Sequence, residues 1–478
     1  MSGSSAAQCS SSNAIHSGLL LKFDKCSEWI IYFMAVFSPW AFGTTQAWSI
    51  SIMNTAGFAL GSLWLAKCLV RSRQGADQKL RRAPHWFVFC LGTLTLLVLS
   101  YVLVSALNAR ATYFPTAWRF EYRTYIPWLP HSYNVERSWD WFWIYLALAS
   151  AFWAIRDWIT HDIEKTIGAT PRWQRLLWVV CINGALVAFE GLLQRAEGSP
   201  KLLWIVEPRI NKSPESFFGP YAYRANASQF LNLVWPVTLG LWCALLKPGR
   251  NEQNKRRPKL RHLLLRCAAL TAIAPVVSAS RGGALVTGMS VLMSCMILLA
   301  FQKRSALWRL GIVTVGIITI VAGWVLGWEV LGKRMTELDT GFEQRESMYA
   351  TARQIAEEYP LFGTGAGSFD ALFQLYRSSS DEYWPAQLHN DWLETLMTFG
   401  WLGSSLIWGA LLLVCIRPFL GGNAIRVEGS VVGFLWLALG GCLVHARYDF
   451  PFQIYSILFV FVLISAVIAS VTLGRKQK

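Results

Sequence analysis

The chain has 478 residues, of which 54% are hydrophobic and only 15% charged, with 25 tryptophans. That is too apolar for an ordinary soluble domain of this length. A net charge of +16 would suit a nucleic-acid partner, but the basic residues sit in short loops between apolar runs, the pattern of a chain threaded through a bilayer.

The first 28 residues are polar and Ser-rich, with no charged-then-apolar pattern ending in a small-residue cleavage site, and they read as a cytoplasmic tail without a signal peptide. A bilayer-spanning helix needs about 20 mostly apolar residues. Runs of this kind fall at 29–47, 48–70, 85–107, 139–158, 173–193, 228–246, 263–279, 283–301, 307–328, 392–416, 430–445 and 452–474. The sequence therefore predicts an all-α polytopic membrane protein of about twelve transmembrane helices. The organisation that follows is a tail at 1–28 and nine spans over 29–328 with outward loops at 108–138 and 194–227. A long helical loop comes at 329–391, and three spans and a second tail at 392–478. Arg71, Arg73, Lys79, Arg81 and Arg82, then Arg156, Lys165 and Arg172, the segment 247–261, Lys303, Arg304, Arg417, Arg426 and the tail 475–478 all fall on one side. Short basic loops are cytoplasmic, so both termini are expected there, in a bacterial inner membrane, with the long loops periplasmic.

The first long loop carries Tyr113, Phe114, Trp118, Phe120, Tyr122, Tyr125, Trp128 and Tyr133. Rings in such a loop either lie at headgroup level, the default, or stack on sugars. In the loop 329–391, Met348, Ala352, Ile355, Ala356 and Tyr359 recur at helical spacing until Pro360 stops the helix, and a second helix runs through Phe369, Phe373 and Tyr376. Between them, Gly363-Thr364-Gly365-Ala366-Gly367 lacks the Gly-Lys-Ser/Thr ending of a phosphate loop, and it reads as a tight turn between two surface helices. The ten cysteines lie in the N-terminal segment or the apolar runs, with no CxxC or Cys/His cluster, so neither disulfides nor a zinc or redox centre is expected.

Four polar clusters converge on the outward face. Ser280-Arg281-Gly282-Gly283 puts an arginine at a membrane boundary, where a charge usually has a partner or an anionic ligand, the plain alternative being snorkelling. His389-Asn390-Asp391-Trp392-Leu393-Glu394 opens a span, with Asn390 as N-cap, Asp391 in the first turn and His389 just outside. An imidazole there can act as a general base or merely cap the helix. Arg224, in Phe218-Gly219-Pro220-Tyr221-Ala222-Tyr223-Arg224-Ala225-Asn226, and Arg447, in His445-Ala446-Arg447-Tyr448-Asp449-Phe450-Pro451, read singly as a flanking arginine and a polar turn. Together the arginines suit a lipid-linked phosphate or pyrophosphate.

With these four segments in this order, and the long loop before the histidine, the sequence over roughly 180–465 resembles the O-antigen ligase family of bacterial envelope glycosyltransferases, which includes related polymerases. The sequence departs from the family pattern at Tyr223 and Ala225-Asn226-Ala227, where many relatives carry Asn before the arginine and Asn-His after it. The resemblance implies a GT-C-like membrane fold. It also implies transfer of a glycan from undecaprenyl pyrophosphate to an acceptor hydroxyl at the periplasmic face, inverting and without metal or other cofactor. The acceptor would be lipid A–core sugar, a growing polysaccharide or a protein side chain. Arg281, Arg224 and Arg447 would hold the pyrophosphate, and His389 would be the base, oriented by Asp391 or Glu394. The aromatic first loop and the 221–227 region lean towards a polymerase-like role. The rival reading is a multi-pass transporter or flippase of lipid-linked sugars, against which stand the absence of an internal repeat and the scarcity of ionisable residues inside spans, Glu190 being one exception.

Overall fold

The computed structural model describes residues 3–73, 84–161, 170–208, 212–246, 257–301, 305–318, 321, 338–376, 386–421 and 425–474. Within them the helices are α1 (Gly3–Trp40), α2 (Ala47–Arg73), α3 (His85–Leu107), α4 (Val135–Thr160), α5 (Arg172–Glu197), α6 (Arg224–Ala244), α7 (Arg257–Val277) and α8 (Arg281–Phe301). They continue with α9 (Ala306–Ile318), α10 (Leu338–Glu358), α11 (Phe369–Tyr376), α12 (Asp391–Ile416), α13 (Gly429–His445) and α14 (Tyr455–Ile468). Two small sheets complete the described chain. Strands β1 (Ala111–Phe114) and β2 (Arg119–Tyr122) form an antiparallel hairpin with Ala111 opposite Tyr122, and β3 (Ile425–Val427) pairs in parallel with β4 (Val471–Leu473).

Six helices are long and apolar enough to cross a bilayer: α2, α3, α5, α7, α8 and α12. The other predicted spans also fall on helices. Of these α9, α13 and α14 are shorter, while α1, α4 and α6 carry more polar sequence. The reason is burial. Residues of α3 and α8 expose Phe89, Leu96, Leu285 and Met289 on the perimeter, whereas nearly every residue of α6 is enclosed by α5, α7, α8, α13 and α14. A helix screened from lipid can keep Asn226, Gln229 and Asn232. Two boundaries differ from the sequence reading. The polar first 28 residues continue as helix α1 into the first apolar run rather than forming a separate tail, and the last span ends at Ile468, with 471–473 turned into β4. Close crossings are made by small residues. Gly57 and Gly61 of α2 lie against Ala147 and Ser150 of α4, where an added Cβ would come within 2.7 Å of the Ala147 carbonyl oxygen.

At the end of the bundle where α2 and α4 finish and α5 begins, charges are buried in pairs. Asp24 meets Lys67 at 3.1 Å and Arg172 at 3.0 Å, and Asp157 meets Lys67 at 3.0 Å and Arg71 at 2.5 Å. Buried ions need partners, and this network fixes the ends of α1, α2, α4 and α5 to one another. The nine described cysteines are all free.

The opposite end carries a layer built from the β1–β2 hairpin, α10 and α11. Its core is Tyr133, Met348, Ala352, Ile355, Phe369, Leu372 and Phe373. Some of the first-loop aromatics join this layer: Tyr113 is buried, Phe120 packs on it and on Tyr133, and Arg110 lies over the rings of Tyr125 and Tyr133, while Trp118, Tyr122 and Trp128 stay exposed. The Tyr133 and Tyr359 hydroxyls bond each other. The glycine cluster is buried too. Inside α12, Gly400 has φ 58° and ψ −170°, a break in the helix that only glycine adopts without strain. The segment 360–365 fills the break. Trp401 N–H donates to the Pro360 carbonyl at 2.8 Å, while Thr364 N–H and Gly365 N–H donate to the carbonyls of Met397 and Thr398 at 3.0 and 2.9 Å. Tyr101 Oη donates to the carbonyls of Phe362 and Phe399 at 2.5 and 2.8 Å. What reads as a surface turn is the plug of a broken helix, which satisfies the backbone groups that the break frees.

Candidate active site

His389 precedes α12 with φ 57°, and Asn390 caps the helix by accepting from Leu393 N–H. The positive φ turns the imidazole away from the helix axis and towards the turn between α13 and α14. There Nδ1 lies 2.9 Å from Oδ1 of Asp449. The pair is largely enclosed, with side-chain exposures of 17% and 7%. A carboxylate at Nδ1 selects the tautomer with the proton there and leaves Nε2 as the basic nitrogen. The ring stands edge-on to Phe450 at 4.7 Å and to Tyr223 at 6.3 Å, and these two stack on each other at 5.6 Å and 7°. Tyr349 of α10 donates from its hydroxyl to the His389 carbonyl at 2.9 Å, tying the outer layer to the same residue.

The sequence reading gave the orienting role to Asp391 or Glu394, and here the structure corrects it. Asp391 is buried and accepts from Phe452 N–H at 2.7 Å and from Gln453 Nε2 at 3.4 Å, and its own N–H donates to the Ala446 carbonyl at 2.8 Å. Glu394 is buried and accepts from Leu388 N–H at 3.2 Å. As first-turn residues of α12 both carboxylates serve backbone donors, and they brace the loops on either side of the imidazole. The ring's own partner is Asp449.

Arg281 begins α8 and is exposed. Its turn is locked from beneath: Gly283 N–H donates to Ser280 Oγ at 3.1 Å, and the Gly283 carbonyl accepts from Asn232 at 3.0 Å. An added Cβ on Gly282 would lie 2.9 Å from Nε2 of the buried His445. His445 adjoins Ala446, whose carbonyl holds Asp391, so the Arg281 turn and the His389 turn share a wall at one end of the bundle. Arg224 opens α6 and donates to the Glu215 carbonyl at 3.0 Å. Arg195, which the sequence reading passed over, donates to the carbonyls of Pro214, Glu215, Phe217 and Ser278, the last at 3.4 Å. Arg195 therefore joins the loop before α6 to the turn before α8 and sets Arg224 and Arg281 on one side of the site. Arg447 stands apart, exposed beside an open groove along α12 with Arg353, Trp392 and Trp408. Arg345 of α10 donates to the Tyr448 carbonyl at 3.3 Å on that flank. Next to Glu394 and Gln453 an apolar cavity of about 300 Å³ lies between α3, α4, α12 and α14, lined by Leu91, Tyr145, Phe399 and Val414 among others.

Residues 267–408 match the family model described as O-antigen ligase. That stretch is similar to the O-antigen ligase family. The matched stretch holds Arg281, the α10–α11 layer, the Gly400 break and His389, while Arg195, Arg224, Arg447 and Asp449 lie outside it. No curated protein and no solved structure matches the chain. Among the described residues six helices are long and apolar enough to cross a membrane, and the match supports a membrane protein of ligase-like or polymerase-like glycan transfer.

Proposed function

We propose that the protein transfers a glycan from undecaprenyl pyrophosphate to an acceptor hydroxyl at the periplasmic face. The observation that carries this reading is the His389–Asp449 pair, which leaves Nε2 as the basic nitrogen, in a turn that shares a wall with the turn of Arg281. The acceptor hydroxyl gives its proton to Nε2 of His389 as its oxygen attacks the anomeric carbon. The new C–O bond forms as the bond from that carbon to the pyrophosphate oxygen breaks, and undecaprenyl pyrophosphate leaves with the charge. A single displacement inverts the anomeric centre. Arg281 and Arg224, set by Arg195, meet the growing negative charge, and fixed cations of this kind are each worth about 3–4 kcal/mol in a transition state. The reading gives these guanidinium groups the charge-neutralising work and assigns no step to a metal or other cofactor. Arg447 is assigned to donor approach along the α12 groove. The apolar cavity beside Glu394 has the character that an isoprenoid chain requires. The basic short loops put both termini in the cytoplasm and the site outside.

The test is a purified chain in detergent given a polyprenyl-pyrophosphate-linked oligosaccharide and a glycan acceptor, with products read by mass spectrometry. Transfer with release of polyprenyl pyrophosphate is expected. Movement of intact donor across liposomes without any transfer product would replace the enzyme with a flippase.

A further inference from the structure

The buried charge network at the end remote from His389 does not balance. Asp24 and Asp157 are occupied by Lys67, Arg71 and Arg172, and His161 adds a third contact to Asp157 at 3.1 Å. Two further guanidinium groups lie buried at the same end, 8% and 0% exposed: Arg156 near the end of α4 and Arg417 just after α12. No described carboxylate pairs with Arg417. One of its terminal nitrogens donates to the Leu420 carbonyl at 3.0 Å, while Nε and the other terminal nitrogen have no partner, nor does Nε of Arg156. Arg156 feels the charge of Arg417 as well as that of Asp157, its neighbour in the chain. Each is steered by a ring. Arg417 stands over Phe87 at 5.4 Å, and Arg156 stands over Trp153 at 5.5 Å, whose indole rests on Gly92 of the same α3 helix that carries Phe87.

Burying two like charges beside each other with open donors is costly, and the cost is removed when an anion lies between them. We propose that Arg156 and Arg417 form a second anion site, specific for a phosphate group. Guanidinium pairs grip tetrahedral oxyanions through several donors at once. Basic pockets between membrane helices are suited to lipid headgroups, and Trp86, Phe89 and Phe419 around this one are 49%, 74% and 64% exposed, an apolar rim fitted to acyl chains. The site is remote from catalysis. The 26 residues of α12 separate Arg417 from His389, at most about 40 Å at the usual helical rise, the break at Gly400 shortening it.

The test uses the full chain in uncharged detergent, with thermal unfolding followed by tryptophan fluorescence during titration with dioleoyl phosphatidylglycerol, dioleoyl phosphatidylcholine or inorganic phosphate. Saturable stabilisation by phosphatidylglycerol and not by phosphatidylcholine is expected. The midpoint should move at least about tenfold in Arg156→Gln and Arg417→Gln, the effect of one lost charge-assisted contact. Arg417→Lys serves if Arg417→Gln does not fold. Stabilisation by inorganic phosphate alone, lost in the same variants, supports the site with a soluble anion as its occupant. Equal effects of the two lipids, no response to either anion, or responses unchanged by the substitutions would overturn it. Arg156→Gln is expected to transfer glycan at the wild-type rate when saturated with donor.

Discussion

Asp449→Asn is the most informative substitution in this protein. It keeps the size of the side chain, and an amide oxygen at the same position still accepts from Phe450 N–H, which now donates to Oδ1 of Asp449 at 3.1 Å. What it removes is the negative charge 2.9 Å from Nδ1 of His389. Two losses follow. The imidazolium formed when His389 takes a proton no longer has a counter-charge, and the neutral amide oxygen facing Nδ1 accepts from its N–H more weakly than a carboxylate does. A charge-assisted hydrogen bond is worth about 1.5–3 kcal/mol, which is roughly a 10- to 150-fold fall in rate. His389→Ala removes the base itself and should cost about 100- to 10,000-fold. Because the carboxylate acts only through the imidazole, the double variant should be no slower than His389→Ala. The assay is the initial rate of transfer from polyprenyl-pyrophosphate-linked oligosaccharide, with monodisperse elution in detergent as the folding control. A rate for Asp449→Asn within twofold of wild type, or additive losses in the double variant, would refute the pairing as a functional unit.

Further outcomes are expected elsewhere. Arg281 is exposed and its turn is held by backbone contacts, so Arg281→Gln should leave thermal stability unchanged while raising the KM for donor about tenfold or more; unchanged donor kinetics would remove its role. Gly400→Ala places a Cβ 2.4 Å from the Leu361 carbonyl oxygen at a φ of 58°. It should cost at least about 2–3 kcal/mol, read as a lower unfolding temperature and faster amide exchange over 361–365, and wild-type exchange there would count against the plug. His131 is buried against Tyr125, with Arg110 nearby; burial lowers its pKa below the ordinary value of 6.5, the Leu129 carbonyl acting in the opposite sense. The fold therefore favours the neutral ring. Its contribution to stability is present above that value and is lost as pH falls below it, by at most about 1.4 kcal/mol per pH unit. Amide protection over 108–134, corrected for the intrinsic exchange rate at each pH, should fall between pH 7.5 and 5.5, and protection that stays flat would contradict the burial argument.

Much of the frame was legible because apolar runs are a signal carried in one dimension. Over its described residues each predicted span lies largely on helix, residues 319–320 and 322–328 of the span 307–328 lying outside them, and Asn390 was found as the cap before the span. The same signal misjudged ends. Val471-Thr472-Leu473 is as suited to a strand as to a helix, and only its pairing with Ile425–Val427 decides. The partner of His389 was not legible, since Asp449 lies 60 residues away while Asp391 and Glu394 lie within one turn. Nearness in sequence favoured them, but the helix directs both carboxylates to backbone donors. Arg195 drew no reading from the sequence because nothing local shows that four carbonyls from two loops converge on it. The glycine cluster announced a turn truthfully, yet its destination, the interrupted turn at Gly400, depends on hydrogen bonds that skip more than thirty residues.

That interruption has a mechanical consequence. The outer layer is fastened to α12 twice, at the Gly400 step through 360–365 and again at the helix start, where Tyr349 holds the His389 carbonyl. A body pinned at two heights along one rod cannot pivot about either pin. Admission of a bulky acceptor therefore proceeds through a standing aperture or by tilting the layer and α12 as one piece, and a crosslink between α10 and α12 should leave turnover intact.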